Sequence, residues 1–372
     1  MEGATHIARL WLDRFRAIDS ADLDLSPGLT VFAGANAQGK TSLLEAVGWI
    51  ARGRSFRGVP DHVLVQSGHA QAIVRAEVVT ETRTQLFEAE LNAQGRNRVQ
   101  LNKSAVTRRR DVHDLVRVSV FAPDDLDLVK GGPITRREYL DDLLAAVALR
   151  YDVARSDYER ILRHRNALLR AGVRDGTDRA TLDVFDEQLV VAGSEVLRGR
   201  LRLLAQLDDR IRVGYHALAG STIAVTATYR AEWHDGDLEG DDLEGLQQAL
   251  RSALERTRGR ELDRRVTLVG PHRDEVVLLV GNLDARTHAS QGEQRTLALA
   301  MRLAGHHLVA ALTGVVPVLL LDDVFSELDD QRAGALVENL PPGQTLLTTA
   351  GTLPAAVHPD RTATVVAGKV LA

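Results

Sequence analysis

The sequence predicts an α/β protein, a mixed sheet with helices that is widened by an antiparallel β portion and interrupted by an inserted helical lobe. Three observations predict this. A glycine-rich loop from Gly34 to Thr41 lies between an apolar segment and an amphipathic one, in the strand–loop–helix order of a phosphate-binding fold. From Gln71 to Leu101 apolar and polar residues alternate, as in strands joined by hairpins. From about Tyr139 to Ala253 the apolar spacing turns helical.

At the N-terminal end, "HIARLWLDRF" and "SPGLTVFAG" read as short strands, the second running into the glycine loop. "KTSLLEAVGWIA" follows with Leu43, Leu44, Val47 and Ile50 on one helical face. In the middle, "SDYERILRHRNALLR" and "DEQLVVAGSEVLRGRLRLLAQL" carry helical stripes, with one strand candidate at "STIAVTATY". Strand patterns return in "RVTLVG" and "EVVLLV", then a helix from Gly292 and a buried strand at "VVPVLLLDD". The expected division is 1–138 and 262–372 as the two parts of a head that carries the glycine loop, with 139–261 as the inserted lobe.

Bulk composition narrows the class. The 372 residues are 44% hydrophobic and 26% charged, which is ordinary for a soluble globular chain. The absence of cysteine removes disulfides, thiolate metal sites and thiol nucleophiles. The longest apolar run, Leu308 to Leu321, is broken by Thr313, Gly314 and Pro317. A spanning helix needs roughly 20 apolar residues, so no membrane segment is expected and the location expected is cytoplasmic. Only Lys40, Lys103, Lys130 and Lys369 of the 46 basic residues are lysines, and one of them lies in the glycine loop. A compact ammonium reaches between phosphates where a planar guanidinium does not.

Gly34, Gly39, Lys40 and Thr41 complete the G-x-x-x-x-G-K-[ST] pattern. Its glycines let backbone N–H groups wrap the phosphates of ATP, its lysine meets the outer phosphates, and its hydroxyl ligates Mg2+. The helix that follows presents its positive end to the same oxygens. "VLLLDD" is a buried strand ending in two acids. Asp322 is the expected Mg2+ partner, and Asp323 the group expected to polarise the attacking water.

"ASQGEQRTLALAMRLA" places Ser290 and Gly292 at a helix start before the acidic strand, and "SELDDQR" follows the acids. Ser290 would be read in isolation as an ordinary N-cap. In this order, the segments resemble the signature and D-loop of ABC-type ATPases, where one subunit's signature helix caps the γ-phosphate held by another. About 250 residues separate Lys40 from Ser290, longer than in transporter subunits and too short for an SMC arm. An ABC/SMC-like head with a compact lobe fits that interval.

Over nearly its whole length the chain resembles the RecF family of bacterial recombination-mediator ATPases. The matching stretches include "GRSFRG", "FAPDDLDLVKGGPITRREYLD", "RHRNALLR", "DVFDEQL", "TLVGPHRDE", "SQGEQRTLALA" and "VLLLDDVFSELD". The resemblance implies that Arg16 contacts a nucleotide phosphate, that Asn36 lies near the γ-phosphate, and that Ser290 acts in trans across an ATP-dependent homodimer. Thr348 and Thr349 fall near a γ-phosphate-sensing position. Three departures stand out: Arg14 in place of the usual asparagine, Glu275 in place of aspartate, and no acid after the threonines of "TTAGTLP".

The function implied is an ATP-gated DNA clamp in recombinational repair and replication restart, loading recombinase at single-strand gaps. Weak, DNA-stimulated ATP hydrolysis would release the DNA, and RecR and RecO are the implied partners. An ABC-type subunit, or an ATP-dependent scaffold that does not act on DNA, is the alternative. Net charge is −5, so DNA contacts must come from local clusters, and Arg108, Arg109, Arg110, Arg136 and Arg137 are the candidates. With 4% aromatic residues there is little capacity for base stacking, which favours contacts to a duplex or gapped-duplex backbone.

Overall fold

The computed structural model describes residues 5–106, 112, 115–173 and 175–371. The chain opens with β1 (His6–Phe15), β2 (Ile18–Asp24) and β3 (Leu29–Ala33), then α1 (Lys40–Arg52). Next come β4 (Gln71–Val79), β5 (Thr84–Asn92), β6 (Arg98–Leu101), β7 (Ser104–Ala105) and β8 (Val118–Phe121). The lobe supplies α2 (Pro133–Val147), α3 (Leu149–Ala171), α4 (Gly176–Ala219), β9 (Val225–Arg230), α5 (Leu243–Arg264), β10 (Glu275–Val280) and β11 (Leu283–Asp284). The chain closes with α6 (Gln291–Thr313), β12 (Val318–Asp322), α7 (Asp330–Glu338), β13 (Thr345–Thr349), β14 (Arg361–Val366) and β15 (Lys369–Leu371).

Two compact units result. The first holds Met1–Asp125, His216–Ser221 and Arg302–Ala372; the second holds Leu126–Tyr215 and Thr222–Met301. The helical unit therefore reaches beyond 139–261. "RVTLVG" forms no strand, and "EVVLLV" becomes β10, which pairs antiparallel with β9 and β11 in a small sheet of the second unit. Periodicity places a strand but not its partner, and here the partner of β10 is β9.

The first unit is built on one mixed sheet of order β7-β6-β5-β4-β1-β2-β15-β14-β3-β13-β12-β8. From β14 through β3, β13 and β12 to β8 every pairing is parallel. From β7 to β2 every pairing is antiparallel. The sequence already carries this difference. All five residues of β12 and of β13 are buried, as befits parallel strands covered on both faces, whereas β4 alternates buried with more exposed positions. Leu43, Leu44, Val47 and Ile50 of α1 are buried in the same core as Val318, Leu320 and Leu346. Among the described residues no helix is long and apolar enough to cross a membrane.

The second unit packs Tyr158, Ile161, Leu189, Leu197, Leu246 and Leu250 into a core of its own, beside several charged groups. Arg165, with no exposed surface, donates to Asp186 Oδ1 (2.6 Å), Glu261 Oε2 (2.6 Å) and Thr267 Oγ1 (2.8 Å). Arg200 donates to both oxygens of Asp141 at 2.8 Å and to the Pro271 carbonyl at 2.7 Å. Asp274 accepts from Tyr229 Oη (2.8 Å) and Trp233 Nε1 (2.6 Å). A buried charge is tolerated only when paired and hydrogen-bonded; both arginines are paired, and Asp274 is hydrogen-bonded by two neutral donors. "RHRNALLR", "DVFDEQL" and "TLVGPHRDE" thus meet in one network that fixes the irregular segment 267–274.

His272 closes this network. Its Nδ1 lies 2.6 Å from Tyr158 Oη and its Nε2 3.3 Å from the Thr267 carbonyl, a pattern satisfied by the neutral ring carrying its proton on Nε2. Burial pushes the imidazole down from 6.5 to about 4. A depressed histidine contributes stability that is complete above its unfolded pKa and is lost as pH falls toward the folded value. Asp274, which burial pushes up to about 6, works in the opposite direction, gaining stability as pH falls. Comparison with a His272→Asn variant isolates the first effect. The melting temperature of the native chain should drop by a few degrees more than the variant's between pH 6.5 and 4; parallel curves by circular dichroism would refute the assignment.

Candidate nucleotide site

β3 runs straight into the glycine loop, and α1 begins at Lys40. Two glycines are required by space. A Cβ on Gly34 would sit 2.3 Å from the Val365 carbonyl oxygen, and one on Gly39, at φ 105°, would sit 2.8 Å from Ile18 Cδ1. The loop is thereby wedged between the β1–β2 turn and β14. Gln38 ties it further, its side-chain oxygen accepting from the Ala367 N–H at 2.6 Å and its carbonyl from the Gly368 N–H at 3.2 Å. Lys40 Nζ donates to the carbonyls of Gly34 and Ala35, both at 2.8 Å, and so hangs over the loop's own curve. The first turn of α1 carries no acid, which leaves its positive end uncompensated toward an anion. Asn36 is exposed on the loop.

β12 delivers the acids. Asp322 Oδ1 accepts from Thr41 Oγ1 at 2.9 Å and from Thr348 Oγ1 at 2.7 Å. Burial raises this carboxyl above the usual carboxylate range, and the two hydroxyls and the charge of Arg57 pull it back. Asp323 adopts φ 50°, ψ 30°, a region few non-glycine residues enter. Its Oδ1 is buried with no hydrogen-bond partner among the described residues. Thr41, Asp322 and Asp323 thus gather at one place. Thr41 and Asp322 are hard oxygen donors, suited to a cation that keeps several waters and binds few protein groups.

Arg16 has a partner that sequence reasoning missed. Its Nε and Nη2 donate to Glu45 Oε2 (2.8 Å) and Oε1 (3.0 Å) on α1. Glu45 has no exposed surface, and Ser55 of "GRSFRG" also donates to it. The pair occupies one edge of the guanidinium and leaves Nη1 out of the ion pair. A glutamate inside an otherwise apolar helical face, five residues after Lys40, was the available signal.

Ser290 makes a capping box with Glu293. The Ser290 N–H and hydroxyl donate to Glu293 Oε2 at 2.8 and 2.7 Å, and the Glu293 N–H donates back to Ser290 Oγ at 3.3 Å. Gly292 lies in the first turn of α6, and Gln294 anchors that turn through the carbonyls of Ala285 and Arg286. Arg108, Arg109 and Arg110 lie outside the described residues. Arg136 requires a correction: it is 5% exposed and spends its donors on Glu275, at 2.9 Å twice, and on the carbonyls of Leu128, Val129 and Gly131. It holds the start of α2 together and presents no free guanidinium to DNA. Arg137 donates to the Asp274 carbonyl at 2.6 Å and is half-buried.

Comparison with known proteins shows the family and the fold. A family model described as RecF/RecN/SMC N terminal domain matches residues 6–346. The DNA replication and repair protein RecF of Streptomyces avermitilis is 43% identical over 351 residues, covering 93% of each chain. The chain belongs to the RecF family. The Frankia alni RecF is 44% identical over 376 residues, covering 98% of this chain and 99% of its own. A solved structure of the recombination mediator protein RecF-ATP in the RecFOR pathway superposes with TM-score 0.90 at 28% identity, covering 99% of this chain and 97% of the other. The SMC head of Pyrococcus furiosus shares the fold, with TM-score 0.57 at 16% identity, covering 99% of this chain and 95% of the other.

In this RecF-family chain the Arg16–Glu45 pair joins the β1–β2 turn to the helix that opens at Lys40. Removing one partner of such a pair strands the other. Glu45→Ala should cost about 3 kcal/mol of stability, with Glu45→Gln milder, as measured by urea unfolding; an unchanged midpoint in the alanine variant would exclude the tie.

Proposed function

We propose that the chain is an ATP-dependent DNA-binding protein of recombinational repair and replication restart, which loads recombinase at single-strand gaps as an ATP-gated homodimeric clamp. The observation that carries this is the junction of Thr41, Asp322 and Thr348 beside Lys40, in a chain that matches RecF proteins from end to end. ATP phosphates would take the loop N–H groups between Gly34 and Thr41, and Lys40 would trade the carbonyls of Gly34 and Ala35 for phosphate oxygens. Asn36 and one edge of Arg16 would lie at the outer phosphates. Thr41 and Asp322 would hold Mg2+, which supplies charge neutralisation for the β- and γ-oxygens. Asp323, whose Oδ1 has no hydrogen-bond partner among the described residues, would orient and polarise the attacking water.

Ser290 and Gly292, at the start of α6, would meet the γ-phosphate held by a second copy. Because that phosphate would then touch two subunits, ATP would favour the dimer by its differential affinity. Slow, DNA-stimulated hydrolysis would undo the contact and free the DNA. Arg108, Arg109, Arg110 and Arg137 remain the basic groups assigned to the DNA backbone. RecR and RecO are the expected partners and the cytoplasm the expected location. We keep 1–138 and 262–372 as the functional ATPase head and 139–261 as its inserted lobe, a division by role that differs from the division by packing.

Two experiments bear on this. Ser290→Arg should leave binding of a fluorescent ATP analogue intact while abolishing ATP-dependent dimerisation in light scattering; an unimpaired dimer would contradict a trans role. Asp323→Asn protein titrated into labelled gapped duplex should bind tightly with ATP and weakly with ADP, as read by fluorescence anisotropy. Equal binding with both nucleotides would reject the clamp and favour a scaffold that does not act on DNA.

A further inference from the structure

Thr348 stands at the C-terminal end of β13, the strand between the loop strand and the acid strand. In register it faces Asp322 on one side and Phe32 on the other. It is 1% exposed. A hydroxyl buried in a strand core costs free energy unless it is hydrogen-bonded, and valine would fill the same shape. The hydroxyl must therefore be explained by what it bonds.

It bonds both acids. Its proton goes to Asp322 Oδ1 at 2.7 Å, and its oxygen accepts the backbone N–H of Asp323 at 3.0 Å. The Thr348 carbonyl accepts the same N–H at 3.2 Å. A hydroxyl has one proton and two lone pairs, so the donated bond has a single destination. The adjacent Thr349 turns away, bonding the carbonyl and N–H of Gly351. Both hydroxyls that reach Asp322 fall on Oδ1, one from Thr41 and one from Thr348, which fixes the rotation of the carboxylate. The captured N–H fixes the left-handed turn at Asp323, a conformation that persists only when its surroundings hold it.

We propose that Thr348 is a positioning residue for ATP hydrolysis, setting the orientation of the Asp322 carboxylate and the turn that places Asp323. The proposal deepens the reading above and rests on its assignment of the two acids. A group that orients a metal-binding carboxylate acts through that carboxylate, so its loss affects turnover and Mg2+ dependence before it affects nucleotide capture by the loop.

The test uses full-length Thr348→Val and Thr348→Ser proteins. Binding of a fluorescent ATP analogue is measured with Mg2+ and with EDTA, alongside single-turnover hydrolysis. The valine variant should bind the analogue in EDTA as the native chain does, lose the Mg2+-dependent gain in affinity, and hydrolyse ATP about 10- to 100-fold more slowly. The serine variant, which keeps the hydroxyl, should recover both properties. Native turnover and native Mg2+ dependence in the valine variant would overturn the proposal, as would a serine variant impaired to the same degree. If valine prevents folding, Thr348→Ala carries the same expectations and the same refutation. Asp322→Asn separates the two levels. Should that variant keep native turnover and Mg2+ dependence, the assignment of the acids falls and the proposal with it. An inactive Asp322→Asn beside an unimpaired Thr348→Val removes the role of Thr348 alone.

Discussion

The site depends on one carboxylate oxygen that accepts two hydroxyl protons. Asp322 Oδ1 ties Thr41, in the first turn of the loop helix, to Thr348 near the end of β13. Thr41 and Asp322 lie 281 positions apart in the chain. They meet because β14, β3, β13, β12 and β8 run parallel, so that β3, β13 and β12 discharge their C-terminal residues at a common edge. In open parallel sheets that edge is where ligands bind. The chain leaves β3, travels through an entire second unit and returns as β12 with its acids beside the loop.

The loop is shaped from outside as well as from within. Ile18 and Val365 leave no room for a Cβ at Gly39 and Gly34, and Gln38 is bonded to the β14–β15 turn. The antiparallel portion of the sheet therefore serves the site, because its β1–β2 turn packs on Gly39 and carries Arg16. Glu45 fixes that guanidinium from below and draws Ser55 to the same point. Two separate segments, the turn carrying Arg16 and the loop carrying Ser55, converge on one buried carboxylate of α1. Its removal would loosen the turn that carries Arg16 as well as the helix that follows Lys40.

Much of this was legible because some signals are local. The loop, the strand before it and the helix after it follow from spacing and apolar pattern, as does a buried strand ending in Asp322 and Asp323. The antiparallel portion follows from the alternation between Gln71 and Leu101. What escaped was pairing over distance. β10 looked like a return to the head and instead joins β9. Arg136 sat in a basic cluster and turned out to be buried against Glu275, although Glu275 was already noted as a departure from the family pattern. Charge density along a chain counts arginines without regard to their partners, and in this protein Arg136 and Arg302 find theirs more than a hundred residues away.

The same blindness hides the role of the stretches that carry the family resemblance. Stretches that carry a family resemblance invite a reading as ligand or partner contacts. In the second unit their side chains are spent inside the protein: Arg165 on Asp186, Glu261 and Thr267, Asp141 and the Pro271 carbonyl on Arg200, and His272 on Tyr158. Apolar packing of similar volume would hold the unit together as well or better, because a buried ion pair seldom gains more than it loses in solvation. Such pairs specify geometry instead, since each donor fork accepts one arrangement of oxygens. The segment 267–274 has no helix or strand to define its path, and it is held where buried forks replace a backbone ladder. An irregular segment can thus be fixed without being regular.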